Sequence, residues 1–339
     1  MESYISNLSY HLPEKVLTNE ELKKTFPSWN VDELYQSTGV HSRHIADIGE
    51  TSSDLAFKAA EKLFSDNNID RNNIDFILFC TQCNDYVAPS TACVLQSRLN
   101  LPITAGAIDI IQGCSGFLYS LSVADGLIKA GTARNILLLT AEAISKYINK
   151  KDKSSRFLFG DGASATLISD SPGKLSLSIR KFVLGTDGKG YQNIMIKHGK
   201  ARHPLSEASP EEIKDEYGNI RTALNFYMNG NAVFLFSINV VPKLIAQMLE
   251  KSGYKKDEID FFVLHQANKI ILETVRKKLD IPEKKLIIDL ENTGNTVSST
   301  VPIVLANIIE KGLVKKGDKV LLAAFGVGYS WGATVLVVE

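Results

Sequence analysis

"NNIDFILFC" (72–80) and "DEIDFFVLH" (257–265) lie over one another at an offset of 185 residues. Each is a polar turn running into a short, mostly apolar segment, and each follows an amphipathic stretch. Self-similarity at a fixed distance decides the architecture before any single segment is read, because a repeated unit implies a repeated fold. The units that follow agree. Cys114 follows the apolar run "AGAIDII" (105–111) and opens a helix-like stretch closing at Gly131; Asn295 follows "KLIIDL" (285–290) and opens one closing at Gly312. Both spacings are 17 residues. In this alignment Cys80 matches His265, and Cys114 matches Asn295 at an offset of 181. Two similar α/β halves related by a pseudo-two-fold axis would bring the helix starts carrying Cys114 and Asn295 together, with His265 arriving from a strand end.

The rest of the chain fits two such halves. Strand-like runs are "IDFILFCTQ" (74–82), "NILLLTAE" (135–142), "SATLISD" (164–170), "IDFFVLH" (259–265), "KVLLAAFG" (319–326) and "ATVLVVE" (333–339). Helix-like stretches span 52–66, 115–131, 231–253, 267–280 and 302–312. Short, wholly apolar strands between helices predict a mostly parallel sheet covered on both faces. The expected halves are 1–175, carrying Cys114, and 176–339, carrying His265 and Asn295. Residues 187–226 are polar and turn-rich, an excursion from the core rather than a domain.

Composition excludes several function classes. At 339 residues, 44% hydrophobic and 22% charged, the chain buries a large core. Its 38 basic and 38 acidic residues give no global field for nucleic acid or an anionic membrane, so neither is expected as a partner. The opening "MESYISNLSYHLPEK" lacks a basic n-region and an apolar h-region. No stretch approaches the roughly 18 to 20 apolar residues of a membrane span. The expectation is a cytoplasmic protein. Four cysteines, Cys80, Cys83, Cys93 and Cys114, make no disulfide framework. Cys80 and Cys83 form C-x-x-C, but no second pair completes a zinc site, and no metal is expected.

Cys114 sits in "DIIQGCSGFLYS" (109–120), between Gly113 and Gly116. A helix start supplies unpaired N–H groups and partial positive charge, which favour a thiolate. The glycines permit close approach of a ligand, and the Cys114 N–H is placed to donate to an oxyanion. The plain alternative is an inert thiol packed after a buried strand. His265 at a strand end and Asn295 in "NTGNT" each have a structural reading too, the latter as turn chemistry. His11, His41, His44, His198 and His203 are read as structural. "GVGYSWG" has the glycines of a dinucleotide fingerprint, but a strand rather than a helix follows, so no pyrophosphate site is expected. "LFGDGASA" (158–165) reads as a tight turn into a strand.

Eight stretches together resemble β-ketoacyl-acyl carrier protein synthase III, of the thiolase-like superfamily. They are "LPEKVLTNEEL" (12–22), "TGVHSRHIA" (38–46), "APSTAC" (88–93), "GCSGFLYSLSVADG" (113–126), "LFGDGASA" (158–165), "HQAN" (265–268), "GNTVSSTVP" (294–302) and "FGVGYSWGA" (325–333). The resemblance implies the duplicated αβαβα five-layer sandwich, usually a homodimer, with no cofactor. It maps a catalytic Cys, His and Asn onto Cys114, His265 and Asn295. The implied reaction is a decarboxylative Claisen condensation: an acyl group held on Cys114 is attacked by the carbanion of a malonyl-acyl carrier protein, to give a 3-ketoacyl product. His265 and Asn295 would donate to the thioester oxygen that becomes an enolate. In the family the loop at 325–333 completes the oxyanion hole, and here Val327 replaces its usual middle glycine.

Other positions depart from the family pattern. Relatives primed by acyl-CoA clamp the adenine between a Trp and an Arg, where this chain has Leu34 in "DELYQS" and Lys153 in "DKSSR". Stacking of that kind contributes about 0.5–2 kcal/mol, so an acyl-carrier protein and acyl-CoA both stand as donors. Ala88 is small where a bulky residue often reaches across the dimer, and Gln112 precedes Gly113 where Ala is common. Both predict an altered acyl pocket, with Asn268 of "HQAN" a further substrate contact. Carrier docking in the family uses a basic residue where Ile270 stands. Lys269 adjoins it, and Lys269 and Arg276 share a helix face with Lys277 beside them; a docking patch and a solvated face are both open.

Two other reactions remain in play. An acyl-Cys enzyme that passes its acyl group to an alcohol or amine would release no carbon dioxide. A cysteine protease has the same Cys, His, Asn order, but "GCSGF" differs from the "CGSCW" type of signature.

Overall fold

The computed structural model describes residues 2–173 and 176–339. Ten strands form one sheet: β1 (Tyr4–His11), β2 (Phe76–Cys80), β3 (Gly106–Ile110), β4 (Asn135–Glu142), β5 (Gly162–Ser169), β6 (Leu177–Thr186), β7 (Phe261–Leu264), β8 (Leu286–Ile287), β9 (Lys319–Gly326) and β10 (Ser330–Val338). Their spatial order is β8-β7-β9-β10-β6-β1-β5-β4-β2-β3. Six helices cover it: α1 (Ser52–Asn67), α2 (Thr91–Arg98), α3 (Gly116–Lys129), α4 (Gly230–Ser252), α5 (Lys269–Lys278) and α6 (Thr300–Glu310).

The duplication is visible in the pairing. β2 runs parallel to β3 and β4, while β4 is antiparallel to β5 and β5 to β1. In the second half β7 runs parallel to β8 and β9, while β9 is antiparallel to β10 and β10 to β6. The halves meet where β1 and β6 pair antiparallel, through Tyr4 with Ser178 and Ile5 with Leu177. The residue boundary expected at 175/176 involves Leu175, which lies outside the described residues. The sheet is mixed rather than mostly parallel: four of its nine pairings are parallel and five antiparallel. Each half completes its three parallel strands with two antiparallel ones, and only burial on both faces was legible from apolar runs.

Three apolar clusters show how the layers stack. Successive side chains of a strand point to opposite faces. Ile77 and Phe79 of β2, with Leu137 and Leu139 of β4, face α1 and α2. Leu78, Ile136 and Leu138 face the other way, onto α3 and α6. Val263, Val320 and Leu322 of the second half meet the same two helices from the far side. Phe262, Leu264 and Leu321 face outward onto α4 and α5. The order is therefore helix, sheet, shared helix pair, sheet, helix, as the duplicated sandwich requires.

Local chemistry sets the helices. Thr51 caps α1 in a capping box with Asp54, and Leu55, Ala56, Ala59, Ala60, Leu63 and Phe64 recur on its buried face. Burying each Leu or Phe there contributes roughly 1.5–3 kcal/mol. Asp109 of β3 accepts from the backbone N–H groups of Thr91 and Ala92, both at 2.7 Å, fixing the start of α2. α4 corrects one expectation: among the described residues it is the one helix long and apolar enough to cross a membrane by length and composition. Here Val241, Leu244, Ile245 and Met248 pack it into the second-half core.

Candidate active site

Cys114, His265 and Asn295 line one cavity of about 630 Å³, part of it open to solvent. Its other walls are mostly apolar, including Leu158, Phe159, Phe234 and Phe325. Ile194 and Phe226 come from the segment expected to be an excursion, and Met228 follows it. Its ends return as a two-stranded ribbon, Ile194–Ile196 paired with Phe226–Met228, which walls the cavity.

Cys114 lies in the loop between β3 and α3. A Cβ on Gly326 would stand 2.6 Å from its Cβ and 2.7 Å from its Sγ, so only glycine lets β9 pass this close. A Cβ on Gly113 would meet Val327 Cγ1 at 2.4 Å and Gln82 Oε1 at 2.7 Å, and one on Gly116 would meet Cys80 Sγ at 2.3 Å. Cys80 is thus a buried thiol packed under the Cys114 loop. Burial pushes the Cys114 thiol up to about 12, and the nearby Glu142 charge adds to that; the N–H groups of Val327 and of Cys114 itself pull the other way. This corrects the expected thiolate. A helix terminus contributes about 0.3–2 kcal/mol, at most ~1.5 pH units, and desolvation outweighs it. The resting group is a thiol, with two backbone donors directed at its sulfur.

His265 follows β7, where its N–H bonds the Ala323 carbonyl at 2.8 Å. Burial alone pushes its imidazole down to about 3, so the ring is neutral at physiological pH. Nδ1 lies 2.7 Å from the Thr300 hydroxyl, leaving Nε2 for the cavity. The Phe325 and His265 rings pack nearly perpendicular, with centroids 5.6 Å apart.

Asn295 precedes α6 by five residues, whereas Cys114 precedes α3 by two, because Val297–Ser299 forms an extra 3₁₀ turn. Its Oδ1 accepts from the Val297 N–H at 2.9 Å, which turns the amide N–H₂ toward the cavity. One of those hydrogens has only a long contact, 3.5 Å to the Ala267 carbonyl. Val297 has φ +55°, in the left-handed region that a β-branched residue rarely adopts. Strain of about 1–3 kcal/mol is expected there. It is accepted where both backbone groups are used: the N–H holds Asn295, and the carbonyl lies 3.1 Å from the Thr300 hydroxyl. "LFGDGASA" turns into β5 as expected, and it also buttresses this loop. The Asn295 N–H donates to the Leu158 carbonyl at 2.8 Å and the Gly160 N–H to the Asn295 carbonyl at 3.1 Å.

Two family models match: 3-oxoacyl-[acyl-carrier-protein] synthase III over residues 108–188, and the synthase III C-terminal model over residues 249–338. A curated β-ketoacyl-[acyl-carrier-protein] synthase III from Caldanaerobacter subterraneus subsp. tengcongensis is 37% identical over 329 residues, 96% of this chain and 95% of that protein. A solved 3-oxoacyl-(acyl-carrier-protein) synthase III superposes with a TM-score of 0.96 at 45% identity, covering 100% of both chains. A 3-oxoacyl-(acyl-carrier protein) synthase from Burkholderia xenovorans LB400 gives 0.90 at 31%, covering 100% of this chain and 95% of that one. The chain belongs to the β-ketoacyl-acyl carrier protein synthase III family. It is an acyltransferase and a condensing enzyme of fatty acid biosynthesis.

Within that family, the remaining positions fall in several places. Leu34 packs with Phe26, Trp29 and Phe157. Lys153 does have an aromatic beside it: its ammonium lies 5.7 Å from the Trp29 ring centroid. Trp29 stacks on Phe26 with centroids 4.3 Å apart, so one of its faces is already covered. Spacing against the family pattern missed it, because Trp29 stands five residues before Leu34. Ala88 is exposed and outside the cavity lining of its own chain. Gln112 does not line the cavity either; its amide donates to Ser330 Oγ at 2.9 Å and Ser115 Oγ at 3.2 Å, tying the Cys114 loop to the start of β10. The amide that does line the cavity near Gly113 is Gln82, which carried no motif. Asn268 lines the cavity and caps α5, accepting from the Ile271 N–H at 2.8 Å. Lys269 lies 6.0 Å over the Tyr35 ring, Arg276 is paired with Glu273 at 2.8 Å, and Lys277 is exposed. Of the expected basic patch, Arg276 is already neutralised.

Proposed function

We propose that Cys114 carries the acyl group and that His265 and Asn295 drive decarboxylation of the malonyl-acyl carrier protein that condenses with it. In the first half-reaction the Cys114 sulfur attacks an acyl thioester whose carbonyl oxygen sits between the N–H groups of Cys114 and Val327. The bond to the carrier's sulfur breaks, and that sulfur leaves with the thiol proton. In the second, the malonyl thioester oxygen accepts from His265 Nε2–H and the Asn295 amide. Carbon dioxide departs, its bonding electrons become an enolate held by those two donors, and the enolate carbon attacks the acyl-Cys114 carbonyl. The 3-ketoacyl product leaves on the carrier, and Cys114 regains a proton.

The observation that carries this reading is the pair of oriented neutral donors facing the same cavity as the thiol. A neutral imidazole and an amide cost no proton and suit an enolate. Carbon dioxide release from malonyl-carrier protein is the test. His265→Ala and Asn295→Ala are each expected to lower it about a hundredfold or more while still accepting an acyl group on Cys114. Release at the wild-type rate from either variant sinks the assignment, and acyl transfer to an alcohol or amine without release supports the other acyltransferase reading.

Several finer features belong to the same proposal. The acyl donor is either an acyl-carrier protein or an acyl-CoA, since the adenine clamp positions hold Leu34 and Lys153. Lys269 and Lys277 receive the acidic carrier protein, with Arg276 contributing little beyond its pair with Glu273. The protein works as a homodimer, supported by the outer edge strand β3, where Ile108 is exposed, as are Ile111 just after the strand and Tyr86 and Val87 on the loop after β2. An unpaired apolar edge is a template for a second copy. We place the enzyme in the cytoplasm, where a free catalytic thiol stays reduced.

A further inference from the structure

The imidazole of His265 turns one nitrogen to the cavity and holds the other, Nδ1, 2.7 Å from the Thr300 hydroxyl. With its pKa near 3, the ring carries a single N–H at neutral pH, so the nitrogen that bears it decides what a substrate meets. Thr300 has one hydroxyl proton and two acceptors in reach, Nδ1 at 2.7 Å and the Val297 carbonyl at 3.1 Å. When the hydroxyl donates to Val297, the ring must donate its Nδ1–H to Thr300, and Nε2 turns a bare lone pair toward the cavity. When the hydroxyl donates to Nδ1, the proton sits on Nε2 and the ring is a donor. The two arrangements have opposite chemistry, because a lone pair repels the enolate oxygen that a donor would hold.

We propose that Thr300 is the positioning residue that sets the His265 tautomer: its hydroxyl donates to Nδ1 and so keeps the proton on Nε2, aimed at the malonyl thioester oxygen. A donor role for Nε2 requires Nδ1 to accept, and the Thr300 hydroxyl at 2.7 Å is the donor in reach. Thr300 is buried, so its hydroxyl does not turn to solvent, and Nδ1 has no other partner among the described residues. Thr300 also opens α6, whose positive end opposes a second proton on the ring. The left-handed backbone at Val297 places the competing carbonyl and the Asn295 anchor on one residue. One turn thereby orients both donors: Val297 fixes the amide, and Thr300 fixes the imidazole.

The inference rests on the decarboxylating role proposed for His265, and its test separates the two. Thr300→Val removes the hydroxyl at nearly constant shape, and Thr300→Ser keeps it. In the full-length protein acylated on Cys114 beforehand, carbon dioxide release from malonyl-carrier protein should fall about a hundredfold or more in Thr300→Val. It should stay within about threefold of wild type in Thr300→Ser, and Cys114 acylation should change little in either. Spectra of ¹⁵N-labelled histidine, with the His265 signals assigned from their loss in His265→Ala, should show Nε2–H in wild type and Thr300→Ser. They should show a shift toward Nδ1–H in Thr300→Val. Undiminished release by Thr300→Val, equal losses in both half-reactions, or an unchanged tautomer overturns the proposal. If His265→Ala releases carbon dioxide as wild type does, the reading of His265 has failed, and the ring spectra still decide whether Thr300 sets its tautomer.

Discussion

Glu142 ends β4 and is buried near Cys83 and Cys114, accepting from Ser298 Oγ at 3.1 Å and the Gln82 N–H at 3.3 Å. Burial pushes its carboxyl up to about 8, so it is mostly neutral at pH 7. The consequence for stability has a definite sign. The folded pKa lies above the ordinary carboxylate value near 4.5, so the group's contribution is fully present below about pH 4.5 and is lost as pH rises through 8. Glu142→Gln keeps an acceptor and removes the titration. The melting temperature of this variant relative to wild type should therefore climb between pH 5 and pH 9; parallel pH curves for the two proteins would contradict the burial argument. At this scale the sequence pointed to the three polar residues that meet in the cavity, since Cys114, His265 and Asn295 carry motifs. It did not reveal Thr300, Val297, Gln82 or the bond from Gln112 to Ser330, which matter through contacts across 35 to 218 residues or through an unusual backbone angle.

Among the elements, the wholly apolar strands were legible to the residue: β4 at 135–142 and β9 at 319–326 coincide with their apolar runs. The two strands that join the halves were missed. β1 buries Ser6 and Ser9, the latter donating to the Ala59 carbonyl at 2.7 Å, and β6 alternates polar with apolar residues, so neither reads as an apolar run. "KLIIDL" shrinks to the two residues of β8, because the chain turns away toward Asn295. α5 illustrates an element serving two ends. Asn268 caps it and lines the cavity, so Asn268→Ala should cost about 0.5–2 kcal/mol of stability, read as a lower midpoint in urea with an unchanged slope. An unchanged midpoint would leave Asn268 as a cavity residue only.

For the whole molecule, duplication explains why the cavity lined by Cys114, His265 and Asn295 lies at the junction. The pseudo-symmetry sets α3 and α6 side by side between the sheets, and their starts bring a thiol from one half to two donors from the other. The free β3 edge then asks for a partner copy. Ile108→Lys together with Ile111→Asp should convert a dimer to a monomer in sedimentation velocity, and a wild-type monomer at micromolar concentration would end the homodimer proposal. The central claim, that Cys114 is acylated and then discharged by decarboxylated malonyl-carrier protein, is tested most directly by intact mass spectrometry of a single sample before and after a malonyl-carrier protein chase. The account predicts a one-acyl adduct on wild type that disappears in the chase as 3-ketoacyl-carrier protein forms, and no adduct on Cys114→Ala. Equal labelling of both proteins, or an adduct that survives the chase, would contradict it.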